Sequence, residues 1–464
     1  MMQFGMLQGA AKLQKVTELL ASLEKDLKES TLTTQQRVQT LLELRQHGTN
    51  PRDADPIYSK DGLEVLMKYG VDGETADVRR SALRCVANAL LLNPNMGQVF
   101  VDTGYASRLA EGLKCDASDD EMMASRILAF SSNRTTMDVE KLISEHALGT
   151  NLNYQISRHA AQFPEPGKAA LSQMDQLALT DTLKLIYLIA SRNPKLAETF
   201  SPSLPLMFTI LSRADIPAKP LDEVAGQLIN CISALDNSGG NVKQLEDNIL
   251  FPEANENAIA DKLIKILDKT MSAYSPAELE PRAIPLLYTL AVICERAPDG
   301  PREHMKQLLL PESEDRTQPI GQSDTLPSKL LKTTKTPYSQ LRMLIFELMF
   351  VLSDRDAETL TKNIGYGYAA GFLATRGIEV PKMGGEGESG GLNPEINPIT
   401  GQKWSAEPQD TGPPMTREEK EREAERLFVL FERARANGIL NVENPVRLAQ
   451  QEGRFEELSD SDSE

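Results

Sequence analysis

Residues 78–92, with the sequence VRRSALRCVANALLL, indicate the fold class of this chain. Val78, Ala82 and Val86 recur every four residues, so they lie on one face of a predicted helix. Similar apolar segments recur along the chain, and each ends at a proline or a polar stretch that stops a helix. These segments cover residues 177–192, 222–235, 283–296 and 339–352.

The long segments are too apolar to expose one side to water, so neighbouring helices must cover them. Shorter helices are predicted between them, at residues 95–103, 106–113 and 357–362. No stretch shows the sustained period-two alternation of a strand. Long buried helices that alternate with shorter ones are typical of an all-α solenoid of armadillo/HEAT type, whose repeats span about 40–47 residues. We therefore predict a superhelix of about eight repeats over residues 1–380.

The composition changes after the predicted superhelix. The sequence KMGGEGESGG at residues 382–391 cannot form a core, so it predicts a flexible linker. Further on, Thr416 is a predicted N-cap with Glu419 three residues later, and Gly438 marks the end of that helix. The predicted parts are a solenoid (1–380), a linker (381–403), an arm (404–450) with a helix over 416–437, and an acidic tail (451–464).

Charge and cysteine content exclude several classes of function. The chain carries 50 Lys+Arg and 67 Asp+Glu, a net charge of −17, which disfavours nucleic acid and anionic membranes as partners. No apolar run is long enough to span a bilayer. The cysteines form no C-x-x-C pair, which argues against a zinc site or a disulfide framework and favours the cytoplasm. They are Cys85, Cys115, Cys231 and Cys294.

An enzyme that performs covalent chemistry is not expected, nor is a cofactor or a metal. None of the four histidines has the spacing of metal ligands or of a catalytic triad, and we assign them surface or structural roles because they lack partners. They are His47, His146, His159 and His304. GYGYAAG at residues 365–371 resembles a phosphate-binding loop, but it follows a helix and no P-loop lysine comes after it. It therefore predicts a tight turn into a helix.

Two asparagines within apolar helices are candidate binding residues. The amides of Asn88 and Asn230 are costly to bury unless they are hydrogen-bonded. Each either clamps the backbone of an extended peptide in the groove of the superhelix or bonds a loop between repeats. Arg80 and Arg84 share one face of the helix that carries Asn88. They either meet the carboxylate of a partner's chain terminus or form a solvated helix face.

The predicted arm helix has an apolar stripe in its second half, which includes Leu427, Leu430 and Phe431. The stripe either docks back onto its own solenoid or grips a partner. In the tail, Ser459 and Ser461 each have an acidic residue three positions later. An acidophilic kinase uses this pattern, so both are candidate phosphorylation sites.

Three parts of the sequence resemble the synembryn family, the non-receptor exchange factors and chaperones for the α subunits of heterotrimeric G proteins (Gα). They are LLLPESEDRTQPIGQSDTLPSKLLK (308–332), FELMFVLSDRDAETLTKNIGYGYAAGFLATRGI (346–378), and INPITGQKW (396–404) with PMTREEKEREAERLFVLFERARANGIL (414–440). A weaker likeness at residues 84–94 extends the resemblance over most of the chain.

The resemblance implies an armadillo/HEAT superhelix, in agreement with the periodicity. It further implies that the C-terminal helix of Gα enters the concave groove while the arm holds the nucleotide domain near its switch regions. A partner that prefers nucleotide-free Gα weakens GDP binding by linkage, and GTP then expels it. The same preference would let the protein chaperone newly made Gα. We expect a cytoplasmic monomer that Gα recruits to the cell cortex or plasma membrane.

The chain departs from the family pattern before the N-P-x-T-G motif. Animal relatives carry a phosphorylatable Ser/Thr segment there, whereas GGEGESGG offers only Ser389. The chain also ends soon after the last predicted helix, as in a shorter, fungal branch. The competing interpretation is an armadillo-type adaptor or scaffold that binds peptides without exchange activity. A hydrolase would require a cluster of ionisable groups in one cleft.

Overall fold

The computed structural model describes most of the chain. The described residues are 7–163, 171–238, 241–313, 315–380, 396–397, 401–407, 416, 422, 425–426 and 428–433. Contacts divide the chain into one unit of Met1–Ala406 and a second unit of Glu407–Glu464. In the described part of the first unit, helices make up the fold, and an isolated antiparallel bridge joins Ile396 to Lys403.

The helices follow one another along the first unit. They are α1 (Gly9–Glu29), α2 (Thr34–His47), α3 (Lys60–Asp72), α4 (Ala76–Leu92), α5 (Met96–Asp102), α6 (Ala106–Gly112), α7 (Ser118–Ser131), α8 (Val139–Glu145), α9 (Leu148–Gln162), α10 (Gln173–Arg192), α11 (Leu204–Arg213), α12 (Val224–Asn237), α13 (Asp247–Leu250), α14 (Ala258–Ala273), α15 (Pro276–Arg296), α16 (Asp299–Leu309), α17 (Leu326–Thr333), α18 (Ser339–Leu352), α19 (Ala357–Ile364) and α20 (Tyr366–Thr375). Short 3-10 helices lie at Asp55–Tyr58, Pro194–Ser203, Asn241–Gln244, Asp315–Thr317 and Trp404–Ala406.

Seven of these helices form one layer, which we call the ladder. It consists of α2, α4, α7, α10, α12, α15 and α18, and each packs against the next. The outer layer, which includes α1, α3, α9, α11 and α14, covers one side of the ladder. A single hydrophobic core of Leu, Ile, Val, Ala and Met side chains runs through both layers. The predicted all-α solenoid is confirmed.

The ladder helices run in the same direction. Between α7 and α10, the hydrogen bonds Ser118–Asp175 and Ser125–Thr182 each join residues 57 apart. Between α10 and α12, two hydrogen bonds join residues 48 apart. A constant offset requires that the two helices are parallel and in register. The unequal offsets also show that the repeats differ in length, and the one between α7 and α10 is longer than the sequence pattern predicted.

The helix α15 begins seven residues before the predicted start at residue 283. Pro276 occupies its first turn, where the missing amide donor costs nothing, and Glu278 accepts a hydrogen bond of 3.0 Å from the amide of Ser275. Pro281 and Pro285 lie inside the helix but are not buried, so water can reach the neighbouring backbone. The predicted segment began at residue 283, two residues after Pro281, and already contained Pro285.

The GYGYAAG segment forms the predicted tight turn. The helix α19 ends at Ile364, Gly365 has φ of 82°, and α20 begins at Tyr366. A positive φ of this size favours glycine because a Cβ atom would be strained there. The segment therefore joins two helices, in agreement with the prediction.

A buried carboxylate joins the first helices of the solenoid. Asp26 is 2% exposed and accepts hydrogen bonds from the Arg37 Nε (2.6 Å), the Tyr69 hydroxyl (2.5 Å) and the Leu32 amide (2.6 Å). Burial acts to raise the pKa of Asp26, but the hydrogen bonds from Arg37, Tyr69 and Leu32 outweigh it and lower the pKa to about 2. The folded state therefore holds this group ionised.

We expect Asp26 to make the N-terminal helices sensitive to acid. Because its folded pKa lies below the ordinary value of 3.8, its contribution to stability is complete above about pH 5 and disappears as the pH falls toward about 2. A difference of this size is worth about 2 kcal/mol. Urea unfolding at several pH values should show a smaller acid loss for Asp26→Asn than for the wild type. Asp324→Asn, at an exposed carboxylate, is the control. Equal acid losses in Asp26→Asn and wild type would contradict this account.

Candidate functional site

One side of the ladder is open to solvent. The neighbouring ladder helices and the outer layer cover the other three sides of each helix, so its exposed residues lie on the fourth side, which we call the ladder face. On α4 this face carries Arg80, Arg84, Asn88 and Leu91, spaced three or four residues apart. Leu91 is 60% exposed. The face thus combines polar groups with accessible apolar surface.

The two predicted arginines are already paired with carboxylates of α7. Arg80 donates to Asp120 from its Nε (2.7 Å) and its Nη2 (3.2 Å), and Arg84 Nη2 donates to Asp119 Oδ1 at 3.0 Å. These bonds tie α4 to α7. The carboxylate of a partner would have to displace an aspartate to reach either arginine. Their direct role in binding remains a prediction.

The two predicted asparagines have unused amides. Asn88 and Asn230 are both half-buried, and neither side chain makes a hydrogen bond within the described part of the chain. Such an amide offers a donor and an acceptor in one plane, which suits the backbone of a bound segment. Of the two alternatives that the sequence left open, the bond to a loop between repeats is absent from the described residues.

Other amides bond the loops between repeats. Asn151 Nδ2 on α9 donates to the carbonyl of Ala110 at 2.9 Å, and Gln155 Nε2 donates to the carbonyl of Leu113 at 2.6 Å. Both side chains are buried. Neither residue was predicted from the sequence, although the run N-L-N-Y-Q at residues 151–155 repeats a polar residue every second position.

The unused amides belong to one row across the ladder. The ion pairs between α4 and α7 join residues 35 and 40 apart, which places Asn88 level with the turn of α7 that contains Arg126. Arg126 Nη2 lies 2.6 Å from Asp181 Oδ2 on α10. The Cys231 thiol donates to the carbonyl of Leu183 on α10, so Asn230, its chain neighbour, lies level with Asp181. The row therefore consists of Asn88, the Arg126–Asp181 ion pair and Asn230, in that order along the ladder.

A buried polar network lies next to this row, since its member Thr182 is the chain neighbour of Asp181. Glu121 is fully buried and accepts hydrogen bonds from Thr182 Oγ1 (2.6 Å), from His159 Nε2 (3.0 Å) and from Arg158. The network joins α7, α9 and α10. A buried charge is tolerated only when its partners are in place. The network therefore fixes the spacing of α7, α9 and α10 close to the ladder face.

The statement that the histidines lack partners is wrong for three of them. His159 contacts Glu121, His146 Nδ1 lies 2.8 Å from Glu111 Oε1, and His304 Nε2 lies 2.7 Å from Asp261 Oδ1. Each partner comes from another helix, 35–43 residues away, so local spacing could not reveal it. Within the described residues, no cluster of His, Cys, Asp or Glu has the geometry to hold a metal ion. The four cysteines are free thiols.

Only part of the predicted arm is described. Residues 428–433 are helical, Leu430 is 50% exposed, and Phe431 is half-buried. Leu427, Ser459, Ser461 and Ser389 lie outside the described residues, as do most of the predicted linker and the acidic tail. The division into linker and arm stays a prediction. Residues 401–403, which it assigned to the linker, make hydrogen bonds to the solenoid.

Among the helices that the structure describes, none has the length and apolarity that crossing a bilayer requires.

Comparison with known proteins gives matches along most of the chain. A family model described as "Guanine nucleotide exchange factor synembryn" matches residues 40–454. The protein named Chaperone Ric-8A from Macaca fascicularis is 26% identical over 468 residues, which cover 92% of this chain and 86% of that relative. Chaperone Ric-8 from Drosophila pseudoobscura pseudoobscura is 32% identical over 196 residues, with 38% of this chain and 34% of the relative covered.

A shorter match and a likeness to a solved structure were also found. A synembryn-like chaperone of Schizosaccharomyces pombe is 28% identical over 167 residues, or 33% of this chain and 32% of the relative. Among solved structures, a designed armadillo repeat protein aligns with a TM-score of 0.38 at 16% identity and covers 61% of this chain and 99% of its own.

Proposed function

Because the chain belongs to the synembryn family, we propose that it binds Gα, stabilises the nucleotide-free state of Gα, and promotes the exchange of GDP for GTP. The observation that carries this proposal is the family match over residues 40–454. The ladder face, with its unused amides, supports it because a binding protein needs accessible polar groups without partners of their own. Chaperoning of newly made Gα is part of the same proposal.

The proposed contact on the ladder face is the C-terminal helix of Gα. Asn88 and Asn230 would hydrogen-bond polar groups at the end of that helix, and Leu91, 60% exposed, would cover part of its apolar side. Arg80 and Arg84 would contribute through their ion pairs, which hold α4 and α7 at a fixed spacing. A stable partner surface of this kind needs no movement of the ladder.

Exchange follows from differential binding, without covalent chemistry. If the protein binds nucleotide-free Gα more tightly than GDP-bound Gα, then GDP and this protein each weaken the binding of the other by the same factor. GTP, by reforming the nucleotide-bound state, releases the protein. The same preference protects a Gα that has not yet bound nucleotide. We further propose that the protein acts as a cytoplasmic monomer that Gα recruits to the membrane.

The release of labelled GDP from purified Gα tests this function. We expect faster release in the presence of this protein, and we expect capture of Gα that an excess of a GTP analogue reverses. Capture that is equal with and without nucleotide would overturn the exchange mechanism and favour an adaptor that merely binds peptides. No capture in either condition would overturn Gα as the partner.

We expect the arm helix to be required for exchange. Leu430→Asp with Phe431→Asp would place two charges on the apolar stripe, so the arm could no longer bury it against Gα, and stimulated GDP release should fall at least tenfold. Leu308→Asp makes the same kind of change at a 39% exposed leucine of α16 and is the control. Full exchange by the double variant would exclude the stripe from the contact. A loss of thermal stability with retained exchange would show that it packs on its own solenoid.

A further inference from the structure

A small hairpin near the end of the first unit carries the N-P-x-T-G motif. Ile396 and Lys403 form an antiparallel bridge, and the amide of Asn397 donates to the carbonyl of Gln402 at 2.8 Å. The amide of Gly401 donates to the carbonyl of Asn397 at 2.8 Å. We call residues 396–406, of which 398–400 are outside the described residues, the hairpin.

One buried arginine holds the hairpin on the solenoid. Arg316 is 8% exposed and donates from Nη1 to the carbonyl of Gly401 (3.0 Å). Its Nη2 donates to the carbonyls of Lys362 (3.1 Å) and Asn363 (2.9 Å) at the end of α19. The amide of Lys403 donates back to the carbonyl of Arg316 at 2.9 Å. A planar guanidinium can reach several carbonyls at once, which an ammonium group cannot do in the same geometry.

Two further features fix the hairpin in place. Gln402 is 5% exposed, and its Nε2 donates to the carbonyl of Thr317 at 3.1 Å. Gly401 has φ of 67°, and a Cβ atom there would lie 2.2 Å from the Cδ1 of Ile320. Any larger residue at this position would therefore be both strained and too close to Ile320. These contacts belong to the first unit alone.

We propose that Arg316 is a positioning residue that anchors the hairpin and thereby fixes to the solenoid the start of the arm that the sequence predicts. This inference rests on the proposed function. When the ladder face and the arm bind one Gα, the second contact forms within the complex, and its strength depends on the length of free chain between the two sites. An anchored hairpin fixes the chain to the solenoid at residues 401–403. Its release would add the linker that the sequence predicts at residues 381–403 to the connection between the two sites.

The expected cost of releasing the hairpin is moderate and measurable. Effective concentration falls with about the −3/2 power of the length of a flexible connection, so stimulated GDP release should drop about threefold to tenfold. The helices of the solenoid and the ladder face would remain as they are. The loss is therefore a loss of arm contact rather than of folding.

The side chain of Trp404 can report on the motion of the hairpin. Trp404 is the only tryptophan of the 464 residues and lies in the 3-10 turn at the end of the hairpin. It is 52% exposed, so its emission wavelength would change little on release, whereas its fluorescence anisotropy reports directly on its motion. Trp404 anisotropy in the full chain thus measures anchoring without any Gα.

The experiment compares four full-length variants with the wild type. Arg316→Ala and Gly401→Val break the anchor from its two sides, and the second replaces no residue of the solenoid helices. Arg316→Lys keeps the charge and should restore only part of the anchoring. Arg296→Ala is the matched control, because Arg296 also donates to backbone carbonyls, those of Val242 and Leu245, at a different site.

We expect lower Trp404 anisotropy and slower stimulated GDP release for Arg316→Ala and Gly401→Val, with no change in anisotropy for Arg296→Ala. Unchanged anisotropy in Gly401→Val and Arg316→Ala would overturn the anchor. Lower anisotropy with wild-type GDP release would overturn the positioning role. If the wild type itself fails to bind Gα, the proposed function and the positioning role fail together, whereas the anisotropy contrast still decides whether Arg316 anchors the hairpin.

Discussion

Replacing Glu121 by alanine is expected to lower the free energy of unfolding of its repeat by about 3–5 kcal/mol. The substitution would leave the Arg158 guanidinium and the His159 ring without the acceptor that both contact. His159 is fully buried, and its Nδ1 already has no partner among the described residues. The Arg158 guanidinium would keep its hydrogen bond to Gln155 and a longer contact of 3.9 Å with Asp175, which replace the lost carboxylate only in part. Breaking a buried ion pair from one side is costly because the remaining charge stays desolvated.

The measurement should resolve the repeats of the solenoid. Repeats can unfold separately, so amide hydrogen exchange of α7, α9 and α10 is a more direct readout than a single melting curve. Glu121→Gln keeps the shape and removes the charge, and we expect an intermediate loss. Glu303→Ala, at an exposed carboxylate of α16, should change protection little. A loss below about 1 kcal/mol for Glu121→Ala would contradict a structural role for the network.

Removing both amides of the ladder face is expected to weaken Gα capture roughly 5- to 150-fold. Each lost hydrogen bond to a partner is worth about 0.5–1.5 kcal/mol, and the two together give about 1–3 kcal/mol. Asn88→Ala with Asn230→Ala should leave melting unchanged or slightly improved. Neither side chain has a hydrogen bond to lose in the described structure, and alanine is the better helix former.

Pull-down of Gα at several concentrations, with melting followed in parallel, checks this expectation. Gln307→Ala removes an exposed amide from α16 and is the matched control. Wild-type capture by the double variant would remove both asparagines from the proposed contact. Arg84→Glu is a poorer test because the new carboxylate would face Asp119, which Arg84 now neutralises. A loss of capture could then come from separation of α4 and α7.

The sequence predicted five of the seven ladder helices, because their apolar faces follow a local period, whereas α2 and α7 were not among the predicted segments. Residues 339–352 were predicted as a helix with the bounds that α18 has, and the turn at Gly365 follows from local glycine chemistry. The start of α15 was missed because the predicted segment began after Pro281, a residue that normally stops a helix and is tolerated here because it is exposed. Local patterns do not contain that information.

Local sequence patterns likewise predicted some residues of the candidate site but not their long-range partners. Asn88 and Asn230 stood out because an amide inside an apolar helix is unusual at the level of sequence. The aspartates that pair with Arg80 and Arg84, by contrast, come from α7, and Glu121 meets His159 across 38 residues of chain. Arg316 meets Gly401 across 85 residues. Contacts at such separations follow from the stacking of repeats, whose offsets vary and cannot be read from one repeat.

The buried thiols of the ladder helices can report on the separation of neighbouring helices. The Cys85 thiol donates to the carbonyl of Leu41 on α2, and the Cys231 thiol donates to α10, while Cys294 is buried in α15. Burial raises the pKa of Cys85 to about 12 and also raises the pKa of Cys231, so both stay in the unreactive protonated form. An alkylating reagent can therefore reach each of these sulfurs only when its helix separates from the preceding ladder helix. The labelling rate of each cysteine would therefore measure how often its ladder helix separates from the preceding one, without an engineered label.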